Sequence, residues 1–271
     1  MAASLDEIVA ATRRRVAETK PAADLRKLER QADNHFPRGF RHGLESRTGG
    51  VAVIAELKPA SPSRGLIRPD FDPQCLAQEL ESAGAAALSV LTDAEFFQGS
   101  LENLRIASDS TKLPCLRKDF IVDEFQLLEA RAHGADAVLL IVAALSQSEL
   151  KKLACRAGEY NLDVLCEVHD EEELQRAVDA GCSLIGVNSR DLRTFQIDLE
   201  TSFRLADLIP KSVLPVAESG IRSGADIARL RASGYQAFLI GETLMRAKSP
   251  GAALKALLAE AQPESHPLIK K

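Results

Sequence analysis

The chain has 271 residues, a net charge of −5 and 45% hydrophobic residues. It carries no basic run, which disfavours binding to a nucleic-acid backbone, and no apolar stretch of about 18 residues that would predict a membrane span. The five cysteines lack a C-x-x-C pair, which argues against a disulfide framework or a zinc site and favours reduced thiols in a cytoplasmic protein. The first residues do not have the pattern of a signal peptide. The length suits either one barrel domain of roughly 250 residues or two domains of about 130 each.

Short apolar runs rich in β-branched residues recur along the chain, spaced by roughly the length of one βα unit. The runs are almost wholly apolar rather than alternating, which is typical of parallel strands covered on both faces. The predicted strands are Val51–Leu57, Ala86–Leu91, Leu113–Leu116, Ala137–Val142, Asp163–Val168, Leu184–Val187, Val213–Ala217 and Ala237–Ile240.

Amphipathic segments between these runs predict helices. One begins at Asp72-Pro73, another follows Asp123, and Ser146-x-x-Glu149 has the spacing of a capping box. A glycine that suits a left-handed helix end recurs two or three residues before a strand, at Gly84, Gly134, Gly181 and Gly234. Eight right-handed βα units predict an α/β fold that closes into a (β/α)₈ TIM barrel. The glycine fingerprints of dinucleotide folds and P-loops are missing.

The residues before the first strand predict a helical extension. Leu5, Ile8 and Val16 indicate one helix, and Leu25 and Leu28 indicate a second after Pro21. We expect one domain over residues 1–271, with an N-terminal helical extension over 1–50 packed on a barrel core over 51–259. The polar tail after Ala259 predicts a frayed end.

Active sites of such barrels lie at the carboxyl ends of the strands. Charged or amide side chains fall at these ends, where burying them is costly unless they are paired or used. Five such charged groups at corresponding ends favour an active site over ordinary surface salt bridges. The candidates are Glu56, Lys58, Lys118, Glu167, Asn188 and Glu218.

The turns after the last two strands predict a phosphate site. Ser219-Gly220 and Gly241-Glu242 occupy the position where barrels bind phosphate through backbone N–H groups. The loop over residues 58–65 is rich in Pro, Ser and Gly, and it is either a plain connector or a lid that closes on an anionic substrate. The five histidines show no ligand spacing, so none is expected to be catalytic and no metal site is predicted.

Several motifs together resemble the indole-3-glycerol phosphate synthase family. The run over residues 53–63, with Glu56, Lys58 and Ser61, resembles the family's first-strand signature. It is followed in order by Phe97-x-Gly99-Ser100, Arg117-Lys118-Asp119-Phe120, Glu167-Val168-His169, the run Gly186–Leu192, Glu218-Ser219-Gly220-Ile221 and Gly241-Glu242-Thr243-Leu244-Met245. Departures are slight: Pro59 stands where lysine or arginine is common, and Arg64 stands where lysine is common. The resemblance covers nearly the whole chain.

The resemblance implies a carboxy-lyase of tryptophan biosynthesis that needs no cofactor. Its substrate would be 1-(2-carboxyphenylamino)-1-deoxyribulose 5-phosphate, a small phosphorylated anthranilate derivative. Lys118 would be the acid, and Lys58, helped by Arg190, would hold the substrate carboxylate. Glu167 and Glu56 would form a second acid–base pair, while Asn188 and Glu218 would orient the substrate. The substrate-binding residues would be Ser61, Phe97, Phe120, Arg190, Ser219, Gly220, Gly241 and Glu242.

Two alternatives stay open at this point. One is another phosphate-binding barrel enzyme such as phosphoribosylanthranilate isomerase, in which the E-x-K-x-x-S-P-S run would have no role. The other is a non-catalytic barrel that binds a phosphorylated metabolite or a partner protein. The sequence also leaves open contacts with other enzymes of the tryptophan pathway, and it indicates no nucleic-acid or membrane partner.

Overall fold

Eight parallel strands close into one barrel in a computed structural model that describes residues 3–47, 50–191 and 196–261. The first strand pairs with the second and with the last, which closes the ring. This confirms the predicted (β/α)₈ barrel. The barrel strands are β1 Ala52–Leu57, β4 Ala87–Leu91, β5 Cys115–Lys118, β6 Ala137–Ile141, β7 Asp163–Val168, β8 Leu184–Asn188, β9 Leu214–Glu218 and β10 Ala237–Ile240; β2 Ala60–Ser61 and β3 Gly65–Leu66 form a small hairpin outside it.

Helices surround the barrel and cover the outer face of its strands. They are α1 Leu5–Ala22, α2 Leu25–Asn34, α3 Phe40–Glu45, α4 Pro73–Ser82, α5 Ala94–Phe97, α6 Leu101–Asp109, α7 Phe125–Ala132, α8 Gln147–Glu159, α9 Glu171–Asp179, α10 Glu200–Ala206, α11 Gly224–Ala232, α12 Glu242–Met245 and α13 Pro250–Glu260, with a 3₁₀ turn over Val142–Ala144. The predicted helix start at Asp72-Pro73 and the capping box at Ser146 are both present.

Strand ends depart from the predictions by small amounts. The third strand begins at Cys115 rather than Leu113, because Pro114 has no N–H to donate to a ladder, although its carbonyl accepts from Leu88. Its end extends to Lys118, since the backbone pairing with β4 continues past the last apolar residue. The four helix-ending glycines have positive φ, as predicted: Gly84 at 99°, Gly134 at 82°, Gly181 at 79° and Gly234 at 105°.

The described part of the N-terminal extension, residues 3–47 and 50, holds three helices, one more than the sequence predicts. Pro21 lies inside α1 rather than beyond its end, because a proline in the last turn removes only one helical hydrogen bond. The unpredicted α3 places Phe40 and Leu44, both fully or nearly fully buried, in the apolar cluster inside the barrel. Its backbone is anchored at the start of β7, where Arg41 N–H donates to Asp163 Oδ2 at 2.8 Å.

The inside of the barrel is apolar up to the carboxyl ends of its strands. Side chains two residues apart face the same side of a strand, so an inward-facing residue predicts that the residue two positions further along also faces inward. The inward-facing apolar cluster includes Ile54, Leu116, Leu165, Leu184 and Val216. Two or four residues further along the same strands stand Glu56, Lys118, Glu167, Asn188 and Glu218, which therefore project into the mouth of the barrel.

Two parts of the predictions lie outside the described residues. These are the polar tail, of which residues 262–271 are not described, and Leu192 in the motif after the sixth barrel strand. Within the described ranges, no helix is long and apolar enough to cross a membrane.

Candidate active site

One pocket of about 380 Å³ opens at the carboxyl end of the barrel. The structure brings together here every residue that the sequence predicts for the site. These lining residues are Glu56, Lys58, Ser61, Phe97, Lys118, Phe120, Glu167, Asn188, Arg190, Glu218, Ser219, Gly220, Gly241 and Glu242. Their roles in the reaction remain predictions.

Lys118 stands among carboxylates at the centre of the mouth. Its Nζ lies 3.0 Å from Glu167 Oε2 and 3.9 Å from Glu218 Oε2, and 15% of its side chain is exposed. Burial alone would lower the pKa of this amine, but the surrounding carboxylates of Glu167, Glu218 and Glu56 outweigh burial and raise it. Lys118 therefore carries a proton at neutral pH, which is the state that an acid needs before it acts.

The two carboxylates beside Lys118 have opposite electrostatic environments. Burial would raise the pKa of Glu167, but Lys118 and the neighbouring His169 and Asn188 lower it to about 2, so Glu167 is ionised. Burial and the charge of Glu167 raise the pKa of Glu218 well above its usual range, although Lys118 opposes them. Two carboxyl groups whose pKa values are shifted in opposite directions can divide the roles of base and proton-carrying group.

Glycines make room for two of the carboxylates. A Cβ at Gly186 would lie 1.9 Å from Glu218 Oε1, and a Cβ at Gly241 would lie 2.0 Å from Glu56 Oε2. Gly186 occupies the inward position of β8 directly opposite Val216 in the register with β9. Sequence reasoning missed Gly186 because its role depends on a contact between strands.

The second lysine lies at the aromatic side of the pocket. Lys58 Nζ is 3.4 Å from Glu56 Oε2 and 5.7 Å from the centroid of the Phe97 ring. Phe97 and Phe120 face each other with centroids 6.0 Å apart, and Phe120 is 8% exposed. A cation beside two rings suits a planar aromatic group that carries a carboxylate.

Turns and arginines build the part of the pocket at the ends of β9 and β10. Ser219 and Gly220 both adopt positive φ, 64° and 79°, so the chain turns sharply after β9. A Cβ at Gly220 would lie 2.7 Å from Ile197 Cγ2, so this glycine is also tightly packed. Asn188, on the neighbouring strand β8, accepts a hydrogen bond from Arg190 N–H at 3.0 Å through its Oδ1.

Glu242 gathers arginines from three parts of the chain. Its carboxylate lies 3.3 Å from Arg64, 3.4 Å from Arg190 and 3.2 Å from Arg246. Because a carboxylate repels a phosphate dianion, this geometry favours Glu242 as a holder of arginines rather than as a direct phosphate ligand. Arg246 and the lining residue Arg222 were not predicted; the four-residue spacing of Glu242 and Arg246 on one helix is the signal that could have identified Arg246.

The loop after β1 covers one side of the pocket as a hairpin. The strands β2 and β3 pair Ala60 with Leu66 and Ser61 with Gly65, so the segment has its own backbone hydrogen bonds. Ser61 is 8% exposed and faces the pocket, while Arg64 reaches Glu242 at the start of α12. The loop is therefore more than a plain connector, and its opening and closing remain a prediction.

The chain is similar to known proteins in both sequence and fold. A family model described as "Indole-3-glycerol phosphate synthase" matches residues 5–257. A protein of that name from Koribacter versatilis is 59% identical over 259 residues, which cover 95% of this chain and 100% of that protein. Another from Acidithiobacillus ferrooxidans is 49% identical over 256 residues, which cover 93% of this chain and 97% of that protein. A crystal structure of 3-hexulose-6-phosphate synthase superposes with a TM-score of 0.62 at 15% identity, covering 78% of this chain and 99% of that one, which shows a common fold alone.

Proposed function

The chain belongs to the indole-3-glycerol phosphate synthase family, and from that premise we propose how its barrel mouth performs the ring closure. The enzyme is a carboxy-lyase of tryptophan biosynthesis. Its substrate is 1-(2-carboxyphenylamino)-1-deoxyribulose 5-phosphate, and its products are indole-3-glycerol phosphate, carbon dioxide and water. The ring carbon that bears the carboxylate attacks the ribulose carbonyl carbon, decarboxylation restores the aromatic ring, and the resulting hydroxyl group then leaves.

The aromatic end of the substrate lies between Lys58 and the phenylalanine pair. Lys58 holds the carboxylate, and its pairing with Glu56 at 3.4 Å keeps the ammonium group aimed into the pocket. Phe97 and Phe120 pack on the ring and align it for attack on the carbonyl carbon. This placement also keeps the carboxylate ionised until the ring closes, when its electrons flow into the ring and carbon dioxide is released.

Lys118 protonates the carbonyl oxygen as the carbon–carbon bond forms. An alkoxide is a stronger base than an amine, so even an ammonium group with a raised pKa can deliver its proton to the developing oxyanion. Glu167 at 3.0 Å holds the ammonium group in place and stabilises its charge before transfer. The observation that carries this assignment is the central ammonium group with two buried carboxylates around it, beside a second lysine at the aromatic side.

The later dehydration needs an acid for the departing hydroxyl group and a base for the ring proton. We assign these steps to Glu167 and Glu56: the ionised Glu167 removes the ring proton, and Glu56, once protonated, delivers a proton to the hydroxyl group, which leaves as water. Asn188 and Glu218 orient the substrate hydroxyl groups and Lys118. Burial and the charge of Glu167 raise the pKa of Glu218, which favours the form of this carboxyl group that can donate a hydrogen bond. Two carboxyl groups whose pKa values are shifted in opposite directions thus lie near the same ammonium group.

The phosphate group binds at the turns after β9 and β10. Backbone N–H groups of Ser219, Gly220 and Gly241 would bind it, as in other phosphate-binding barrels. Arg190 and Arg64, gathered by Glu242, add positive charge at this end. The two anionic ends of the substrate therefore meet cations in two different parts of one pocket. The five free cysteines suit work in a reducing compartment such as the cytoplasm.

Supplying the substrate and following indole fluorescence tests this proposal. We expect fluorescence to rise with release of one equivalent of carbon dioxide, and a folded Lys118→Met variant to produce neither signal at a comparable rate. Substrate consumption without an indole signal, or an unchanged rate in Lys118→Met, would contradict the proposal.

A further inference from the structure

His169 lies beside Glu167, near the carboxylate oxygen that does not contact Lys118. Its Nε2 is 3.5 Å from Glu167 Oε1, whereas Lys118 Nζ contacts the other oxygen, Oε2, at 3.0 Å. The second ring nitrogen, Nδ1, lies 2.9 Å from Glu173 Oε2 on α9. The imidazole is 14% exposed, so a single, largely buried ring bridges the carboxylate of the site and a carboxylate of the adjoining helix.

This arrangement has a definite consequence for the protons on the ring. A neutral imidazole has one N–H, so one of its two nitrogens would present a lone pair to a carboxylate. Nε2 is buried and has no hydrogen-bond partner within 3.5 Å among the described residues, yet it faces Glu167 at the edge of that range. The doubly protonated ring carries an N–H on each nitrogen, one hydrogen-bonded to Glu173 and one on the side of Glu167.

We propose that His169 is a positioning residue that holds Glu167 in the orientation needed to support Lys118. The proposal rests on the proposed function and adds a residue to it, because the sequence analysis predicts no role for any histidine. One Glu167 oxygen contacts Lys118 and the other faces the imidazolium, so both ends of the carboxylate are fixed. His169 acts through Glu167 and does not line the pocket that receives the substrate.

Glu173 completes the arrangement from outside the barrel mouth. Its Oε2 accepts from the backbone N–H of His169 at 2.9 Å as well as contacting the ring. The backbone N–H of Glu173 in turn donates to Asp170, the N-cap of α9, at 2.9 Å. The carboxylate that steers the imidazole is therefore held by the first turn of a helix, which limits how far the ring can move.

A purely structural role is the competing explanation. Glu173 reaches back over the start of α9 as a capping residue does, and His169 could simply fill space there. The two explanations differ in what the charge on the ring does. A capping role needs only an acceptor at position 173, whereas positioning of Glu167 needs the positive imidazole.

The charged groups that face the imidazole fix the direction of its titration. Burial favours the neutral ring, but Glu173 on α9 and Glu167 on β7 favour the protonated form, while Lys118 on β5 opposes it. Together they raise the pKa of His169 above its ordinary value. Because the protonated form is the active one, kcat should fall as pH rises through that pKa. Replacing the histidine should remove this limb of the pH profile.

The test compares His169→Gln with His35→Gln. His35 is a matched control because it is a similarly buried histidine, 17% exposed, whose Nε2 lies 3.1 Å from Asp136 far from the pocket. We expect His169→Gln to lower kcat by about 10-fold or more with little change in KM, since small displacements of catalytic groups can cost up to ~100-fold. We expect His35→Gln to leave kcat unchanged, whatever it does to the free energy of unfolding.

Three further measurements separate the explanations. In a Glu167→Gln background, His169→Gln should lower kcat no further, because its effect runs through Glu167. Glu173→Gln, which keeps the acceptor for the backbone N–H, should lower the pKa of the His169 ring in an NMR titration. The fall of kcat with rising pH should then shift to lower pH by the same amount. The alkaline limb should be missing from His169→Gln.

Equal kcat values for wild type and His169→Gln, or an unaltered pH profile in a folded His169→Gln protein, would overturn the positioning role. So would an NMR titration in which Glu167→Gln leaves the His169 pKa unchanged. These results would leave the proposed function intact if Lys118→Met still abolishes indole formation. Failure of the wild-type enzyme to form indole would instead refute the proposed function itself.

Discussion

Replacing Lys118 by alanine or arginine separates proton donation from electrostatic support. Lys118 Nζ lies 3.0 Å from Glu167 and 3.9 Å from Glu218, and no other lysine lines the pocket except Lys58 among the described residues. Acid–base catalysis is typically worth about 10²–10⁴-fold, which corresponds to about 3–5 kcal/mol of transition-state stabilisation. We therefore expect Lys118→Ala to lower kcat by that factor with a smaller change in KM. Lys118→Arg should not recover the rate, because a guanidinium does not readily release a proton.

Lys58 provides the comparison, since it is almost equally exposed at 17% and lies 3.4 Å from its own carboxylate, Glu56. It holds a group that is charged in the ground state as well as in the transition state. Lys58→Ala should therefore raise KM, and kcat falls only to the extent that the ring is misplaced. Lys58→Arg should recover part of the binding because it remains a cation.

Steady-state kinetics by indole fluorescence on these four variants decides between the roles. Breaking a buried ion pair can destabilise a protein by ~3–5 kcal/mol, so circular dichroism must first show that each variant is folded. Near wild-type kcat in Lys118→Arg would refute proton donation by Lys118. Lys58 would then be the better candidate for the acid, and Lys118 would be an electrostatic clamp.

Three other perturbations have definite expected outcomes. Gly186→Ala should lower kcat by at least about 10-fold, because its Cβ would lie 1.9 Å from Glu218 Oε1 and displace that carboxylate. Gly158→Ala is the control, because a Cβ there meets nothing within 4 Å, and it should leave kcat unchanged. Equal kcat values in the two variants would refute the role of Gly186 in making room for Glu218. Gly220→Val should abolish the binding of inorganic phosphate in isothermal titration, whereas Ser219→Ala should weaken it modestly; unchanged binding in folded Gly220→Val would refute the phosphate site. Exhaustive chelation should leave turnover intact, and a loss of activity restored by one specific metal would contradict the scheme.

The positions of the site residues could be predicted because they follow from strand periodicity. An apolar run locates a barrel strand, and its inward face continues in steps of two residues to the carboxyl end. Ile54 leads in this way to Glu56, and Leu165 leads to Glu167. Every predicted site residue accordingly lines the same pocket, although its chemical role had to come from family resemblance.

Features that depend on contacts between distant segments could not be predicted. The need for glycine at position 186 arises from the register of β8 on β9, which brings its Cα against Glu218. The short helix α3 is only six residues long and has too little periodicity to stand out, yet it supplies Phe40 to the core. His169 has no ligand spacing, and its link to Glu167 and Glu173 appears only when β7 and α9 are seen together.

The central claim is that one pocket binds the phosphate at the turns after β9 and β10 and the aromatic carboxylate at Lys58. A crystal structure of a folded, inactive Lys118→Met variant with substrate bound tests it most directly. We predict phosphate at the backbone of Gly220 and Gly241, the ring against Phe97 and Phe120, and the carboxylate within hydrogen-bonding distance of Lys58 Nζ. A substrate bound in the reverse orientation, or outside the barrel mouth, would contradict the account.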